Sequence, residues 1–401
     1  MCDQQKICFI IPPHILRHLS DSARGDLKER IQQSMLLSHG LRVRRNTFAE
    51  LGLAAQAVGE LNRTVYDAQN MENVHGVVVR SEGDDAIGDP TVNEAYDAAG
   101  STYDFYHQVF ARNSIDNKGM RLDSVVHYGD GFDNAFWDGR EMVYGDGDGR
   151  IFNRFTLDLD VIAHELTHGV TAYEADLAYS GQSGALNESM SDVFGSLAKQ
   201  WKLQQTAKDA DWLIGASLLA EGMHGRALRS MAQPGTAYDD PKLGGRDPQP
   251  AHMRDYEDMT QDNGGVHINS GIPNRAFYLA ATKIDPNGFA WEKAGKIWYM
   301  TLTTRLNTNS TFQDCANATY LTAGEQFGQN GAEQQAVASA WSDVGIDVDR
   351  PTGAMIPAGI KRPAARPPAS KSKKPKKSAV GRKPAARIAK ARPPMKPKRR
   401  K

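Results

Sequence analysis

His164-Glu165-Leu166-Thr167-His168 constrains this chain more than any other stretch. Side chains four apart share one face of an α-helix, so both imidazoles can hold one zinc ion. Glu165, beside the first, then stays free to act as a base. Val161, Ile162, Leu166 and Val170 supply packing faces for a helix from about residue 160 to 175. The five-residue string alone also arises by chance, and a lone helical histidine is more often a packing or surface residue. Catalytic zinc takes three protein ligands and a water, so the reading requires a third donor on a second element facing this helix.

Gly184-Ala185-Leu186-Asn187-Glu188-Ser189-Met190-Ser191-Asp192 supplies that donor. The stretch from Glu188 through Phe194 to Ala198 reads as a helix, with Glu188 and Asp192 on one face. Glu188 is the expected third ligand, and Asp192 the acceptor of a ligating histidine's free ring N–H, which fixes the tautomer.

These segments, with Asp262-Asn263-Gly264-Gly265-Val266-His267 and Asn134-Ala135-Phe136-Trp137, resemble the signatures of the thermolysin family of neutral zinc endopeptidases, in the same order. The similarity runs from about Thr64 to Ile346, and Ile10-Ile11-Pro12-Pro13-His14-Ile15-Leu16 resembles the short propeptide of the protealysin-like branch. The resemblance implies an α+β fold: a two-lobed zincin with a β-rich N-terminal lobe, a helical C-terminal lobe and a central zinc-binding helix. Zinc is the implied cofactor, and the substrates are proteins or peptides cut before large apolar residues. By the same resemblance, Tyr179 and His267 serve the oxyanion, with Asp262 orienting His267. Asn134 and Ala135 pair with substrate backbone, Arg229 grips a substrate carbonyl, and Phe155, Val161 and Leu228 wall the apolar pocket. Lys199, Leu213, Ala216 and Ser217 stand where the family's double calcium site has carboxylates, although Asp160 and Asp211 remain, which argues against calcium at that place.

The expected organisation is a short propeptide over 1–50, a β-rich lobe with the central helix over 51–181, a helical lobe over 182–349 and a disordered tail over 350–401. Residues from Asp26 to Leu37 read as an amphipathic helix seeking a partner surface, and the resemblance makes this first unit an intramolecular inhibitor and chaperone. The alternative is a permanently attached subdomain. Cys8 reads as an apolar packing residue, with a zinc-capping thiolate as the other use. A maturation cut before Phe48 or Leu51 would match the expected specificity.

Leu122–Tyr128 and Glu141–Gly145 read as the strands of one hairpin, with Asn134–Trp137 between them at the cleft edge. Asp146-Gly147-Asp148-Gly149 reads as a tight turn, since no glutamate closes a calcium loop at its twelfth position, Leu157. His224 and His252 read as surface residues.

The zero net charge hides a split: residues 361–401 hold 18 Lys and Arg and no acid, leaving 30 basic against 48 acidic residues elsewhere. Such a tail cannot bury enough apolar surface to order itself. It suits salt-sensitive binding to nucleic acid or another polyanion, including an anionic membrane, the alternative being a solvated tail or one that folds back on the acidic body. The N-terminal stretch lacks a classical signal pattern, so the expected location is cytoplasmic or, by a non-classical route, exported. No run is long and apolar enough to cross a membrane, and three scattered cysteines make no disulfide framework. The rival reading is a polyanion-binding scaffold with a structural zinc fold. It accounts for the tail but leaves Glu165, Tyr179 and His267 without work.

Overall fold

The computed structural model describes residues 8–25, 28–36, 60–74 and 76–349. The expected cut before Phe48 or Leu51 and the basic tail fall outside the described residues, as does the Cys8 side chain.

Short runs of β-branched and aromatic residues build a six-stranded sheet in the order β1-β5-β6-β4-β2-β3. Its strands are β1 (Cys8–Phe9), β2 (Arg63–Asp67), β3 (Val77–Ser81), β4 (Leu122–Val126), β5 (Ala135–Trp137) and β6 (Glu141–Tyr144). The hairpin expected of β4 and β6 is not formed: they pair in parallel, Val125 opposite Val143, and the antiparallel partner of β6 is β5. The chain reverses twice between β4 and β6, so they run the same way. Residue alternation reports which face a strand buries and is blind to its direction.

The N-terminal segment contributes the outermost strand. Cys8 and Phe9 pair antiparallel with Trp137 and Phe136, covering the free edge of β5. Pro12 and Pro13 then open α1 (Pro13–Ser22), which buries Ile15, Leu16 and Leu19. Proline at the first helical turn is favourable, because its missing N–H would have no intrahelical partner there. A second helix, α2, covers residues 28–36 and turns Ile31 into the protein. Ile31 follows the amphipathic reading, but Leu36, expected on the same apolar face, is exposed; α1 was hidden by its two prolines.

Asp89 caps α3 (Pro90–Phe110) by accepting from the Thr91 N–H. The central helix, α4 (Leu159–Tyr173), crosses α5 (Gly181–Leu203), which begins earlier than Glu188. The two approach closely because Gly195 has no side chain: a Cβ there would lie 2.5 Å from the Asp160 carbonyl oxygen. Helices α6 (Asp262–Asn269), α7 (Gly271–Ile284), α8 (Ala294–Thr304), α9 (Phe312–Phe327) and α10 (Ala332–Asp343) complete the second half of the fold. A two-stranded ribbon, β7 (Leu213–Ile214) with β8 (Arg229–Ser230), carries Arg229. Among the described residues, no helix is long and apolar enough to cross a membrane.

Candidate metal centre and peptide cleft

The helical spacing places both imidazoles on one face of α4, and the crossing of α4 and α5 brings Glu188 against them. His164 Nε2 and His168 Nε2 lie 3.0 Å apart, with Glu188 oxygens 3.6 and 3.5 Å away. These three buried residues form one potential metal site. His164 Nδ1 donates to Asp192 Oδ1 at 2.8 Å, and His168 Nδ1 donates to Asn187 Oδ1 at 2.8 Å. With each Nδ1 proton committed, two Nε2 lone pairs face each other beside a carboxylate. Glu188 Oε2 is buried without a hydrogen-bond partner. This concentration of lone pairs fits a tetrahedral zinc ion with one open position.

Charge around the centre follows the same logic. Burial pushes His168 down to about 3, which keeps it the neutral imidazole a metal requires. Burial opposes ionisation of Glu188, but His267, His168 and His164 beside it hold its pKa below the ordinary value. Asp192 is likewise desolvated, yet the Arg229 guanidinium, followed by His164, holds it well below the usual carboxylate range. Arg229 joins Asp192 through two bonds of 2.9 and 2.8 Å, and Asn274 Nδ2 adds a third donor at 2.8 Å.

Glu165 lies on α4 between the two histidines. One oxygen accepts from the Trp137 N–H at 3.2 Å, while Oε1 is buried without a partner. Burial, then the Glu188 charge, raises its pKa well above the ordinary value. Tyr179 Oη donates to Glu188 Oε1 and lies 3.3 Å from His267 Nε2.

His267 is aimed by an unusual turn at the start of α6. Asp262, Asn263, Gly264 and Gly265 have φ of 53°, 50°, 89° and 73°, four successive left-handed residues. At Gly265 a Cβ would meet Asn269 Nδ2 at 2.8 Å, so glycine is required on steric as well as torsional grounds. Asp262 accepts from His267 Nδ1 at 2.6 Å and from its backbone N–H at 2.9 Å. The other ring nitrogen donates to the Phe9 carbonyl at 3.0 Å. Burial disfavours charge on His267, but Asp262 and Glu188 raise it to about 9.

Asn134 and Ala135, expected from the resemblance to pair with substrate backbone, hold the N-terminal segment beside the metal centre. Ile10 N–H donates to the Ala135 carbonyl at 3.3 Å, and Ile11 N–H donates to Asn134 Oδ1 at 3.1 Å. Arg229 Nη1 donates to the Ile10 carbonyl at 3.2 Å. Arg229 therefore pairs with Asp192 and also binds a backbone carbonyl of the N-terminal segment. Ile10 is wholly buried in the apolar cluster that also contains Phe155, Val161 and Leu228.

Three contacts were not anticipated. Asn187 as the acceptor for His168 had a local signal, its position one residue before Glu188. Asn274 on Asp192 had none. His252, read as a surface residue, accepts from the Arg254 N–H and caps a short helical turn.

Residues 54–172 match the family described as thermolysin metallopeptidase, catalytic domain, and residues 175–346 match the thermolysin metallopeptidase alpha-helical domain. The chain belongs to the thermolysin metallopeptidases. It is 50% identical over 343 residues to an extracellular metalloprotease of Pectobacterium carotovorum subsp. carotovorum, covering 85% of this chain and 97% of that protein. It is 46% identical over 351 residues to protease PrtS of Photorhabdus sp. (strain Az29), covering 84% and 92% respectively. The solved structure of the precursor of protealysin from Serratia proteamaculans superposes with a TM-score of 0.77 at 49% identity, covering 84% of this chain and 99% of that one.

This thermolysin metallopeptidase is a zinc metalloendopeptidase, with His164, His168 and Glu188 clustered as a zinc site requires. The scaffold alternative gains no support. At the position of the family's calcium pair, the Lys199 ammonium lies 2.6 Å from Asp160 Oδ2, 3.0 Å from Asp211 and 2.8 Å from the Leu213 carbonyl.

Proposed function

We propose that this peptidase is made as a self-blocked precursor and cuts peptide bonds on the N-terminal side of large apolar residues. The observation that carries this reading is the stretch Phe9–Ile11, whose backbone is held beside the metal centre by the His267, Arg229 and Asn134 side chains and by the backbone of β5, with Ile10 buried. His164, His168 and Glu188 are the ligands. Bound there, zinc supplies Lewis acidity, polarising a carbonyl and lowering the pKa of a water to near neutrality.

The rest belongs to the chain's own side chains. Glu165 Oε1 takes the proton of the attacking water and later passes it to the leaving nitrogen. Tyr179 and His267 donate to the oxyanion as it develops on the carbonyl, and Asp262 holds His267 in place. Asn134 and Ala135 receive the substrate N–H groups, and Arg229 holds the carbonyl beyond the cut. Asp192 fixes both His164 and Arg229. Phe155, Val161 and Leu228 form the apolar pocket. Filling it with a large aliphatic side chain contributes about 1.5–3 kcal/mol, which is what selects the residue after the cut.

The domain reading stands as part of the proposal: residues 1–50 are the inhibitory prosegment, 51–181 and 182–349 the two lobes, and 350–401 a basic tail. The cut before Phe48 or Leu51 fits the same pocket. The tail's charge favours a polyanion as a further partner. One of the relatives named above is called extracellular, which supports export of the mature enzyme; cell fractionation tests it.

The deciding experiment is intact mass and substrate cleavage for wild type beside Glu165→Ala. We expect both to hold zinc, and only the wild type to shed its first fifty or so residues and digest a denatured protein, the variant losing roughly 10²–10⁴-fold in rate. Normal turnover by the variant would remove Glu165 from its role.

A further inference from the structure

Resting on the endopeptidase reading, we propose that the precursor has a second processing site, the Phe9–Ile10 peptide bond, which it cuts within its own cleft while the rest of the prosegment stays docked. Several contacts fix the register. The carbonyl of this amide faces His267 Nε2 at 3.0 Å, and its N–H faces the Ala135 carbonyl at 3.3 Å. One residue on, the Ile10 carbonyl is held by Arg229, and the Ile11 N–H by Asn134. Antiparallel pairing of Phe9 with Phe136 fixes the chain direction. The same groups assigned to a substrate are thus engaged, in order, about one amide.

An inhibitor that merely plugged the cleft would have no need to aim a carbonyl at the oxyanion donor and to bury the side chain that follows it. The Phe9 carbonyl does the first and the wholly buried Ile10 side chain the second. Pro12 lacks an N–H and ends the ladder two residues beyond the amide.

Hydrolysis here adds a water oxygen to the Phe9 carbonyl carbon and breaks the C–N bond to Ile10. Phe9 leaves as a carboxylate, and the Ile10 nitrogen takes the proton that Glu165 carries and becomes an amine. Residues from Ile10 onward remain anchored away from the cut. His14 Nε2 lies 3.2 Å from Tyr238 Oη, His18 Nε2 donates to the Pro241 carbonyl at 2.8 Å, and Ser34 Oγ accepts from the Asp133 N–H at 3.3 Å. The first cut therefore releases residues 1–9 and leaves the block in place until the later cut near residue 50.

Time-resolved mass analysis of the full-length, zinc-loaded chain tests this. We expect a peptide ending at Phe9 and a new N-terminus at Ile10, at a rate unchanged on tenfold dilution. Ile10→Asp should suppress that cut and Ile10→Leu should keep it. A prosegment released with Phe9–Ile10 intact, or a rate proportional to concentration, overturns the proposal. Digestion of an added peptide by the mature form separates the two failures. If the added peptide is cut and Phe9–Ile10 is not, only this inference falls; if neither is cut, the endopeptidase assignment falls with it.

A readout independent of turnover comes from amide exchange in full-length Glu165→Ala. Ile10 and Ile11 should exchange roughly 10²-fold or more slower than in the free peptide. Exchange of these two amides at the free rate overturns the register.

Discussion

Lys199 Nζ on α5 sits 2.6 Å from Asp160 Oδ2, a wholly buried carboxylate in the first turn of the helix that carries both histidine ligands. Asp211 and the Leu213 carbonyl complete the lysine's surroundings, so the cation at this position is part of the chain. Burial disfavours charge on Lys199, but Asp160 and Asp211 raise its pKa. Removing one partner of a buried pair leaves the other uncompensated, a cost of about 3–5 kcal/mol. Lys199→Ala should therefore lower chemical-denaturation stability by that order. A calcium-selective chelator should leave the wild-type midpoint unchanged. Lys199→Glu sets three carboxylates together, and its stability should become calcium-dependent.

Asp192 serves two masters, His164 on one side and Arg229 on the other. Asp192→Ala should weaken zinc binding roughly 10–100-fold, because the His164 ring loses the acceptor that sets its tautomer. It should also cost about 3–5 kcal/mol of stability, because Arg229 stays buried without its carboxylate. Asp192→Asn, which keeps one acceptor oxygen for His164, should retain more of the zinc affinity than of the stability. Zinc competition against a chromophoric chelator, paired with denaturant unfolding, separates the two effects.

Both ring nitrogens of His127 face carboxylates, Nδ1 at 2.8 Å from Asp146 and Nε2 at 2.9 Å from Asp89. The hydrogen bond that its ring N–H donates to Asp146, with Asp89 adding to it against partial burial, raises its pKa to about 9. A raised histidine contributes its stability in full below the unfolded-state value near 6.5 and loses it as pH climbs through about 9. Solvent screening at this partly exposed site reduces the contribution to about 1 kcal/mol. His127 has φ of 53°, so His127→Asn is the suitable variant, asparagine tolerating that conformation. The wild type should exceed this variant in stability at pH 6, and the gap should close by pH 10, measured by urea unfolding across that range.

The parts of this protein legible from sequence are those whose geometry is local. Four-residue spacing on a helix dictates that His164 and His168 converge, and the same spacing links Glu188 to Asp192. The run from Asp262 to Gly265 announces a backbone that only Asn, Asp and Gly adopt readily. What escaped depends on long-range pairing. Parallel pairing of β4 with β6 leaves no trace in residue alternation, and Asn274 meets Asp192 across 82 positions. The contact of Phe9 with His267 spans 258 positions and uses a backbone carbonyl, which every residue possesses. No side-chain pattern could have marked it.

The basic tail offers the last test. Residues 361–401 carry 18 positive charges and no negative ones, while the rest of the chain is acidic by the same count. Chemistry and tail share no residue, so a chain ending at residue 349 should digest an added peptide at the wild-type rate. Its retention on a polyanion such as duplex DNA should be lost. For the full chain, log-affinity should fall with log-salt at about −0.9 per phosphate neutralised, with no preference among DNA sequences. Equal binding by the truncated chain would place the polyanion contact on the body, and salt-independent binding would exclude a charge-driven one.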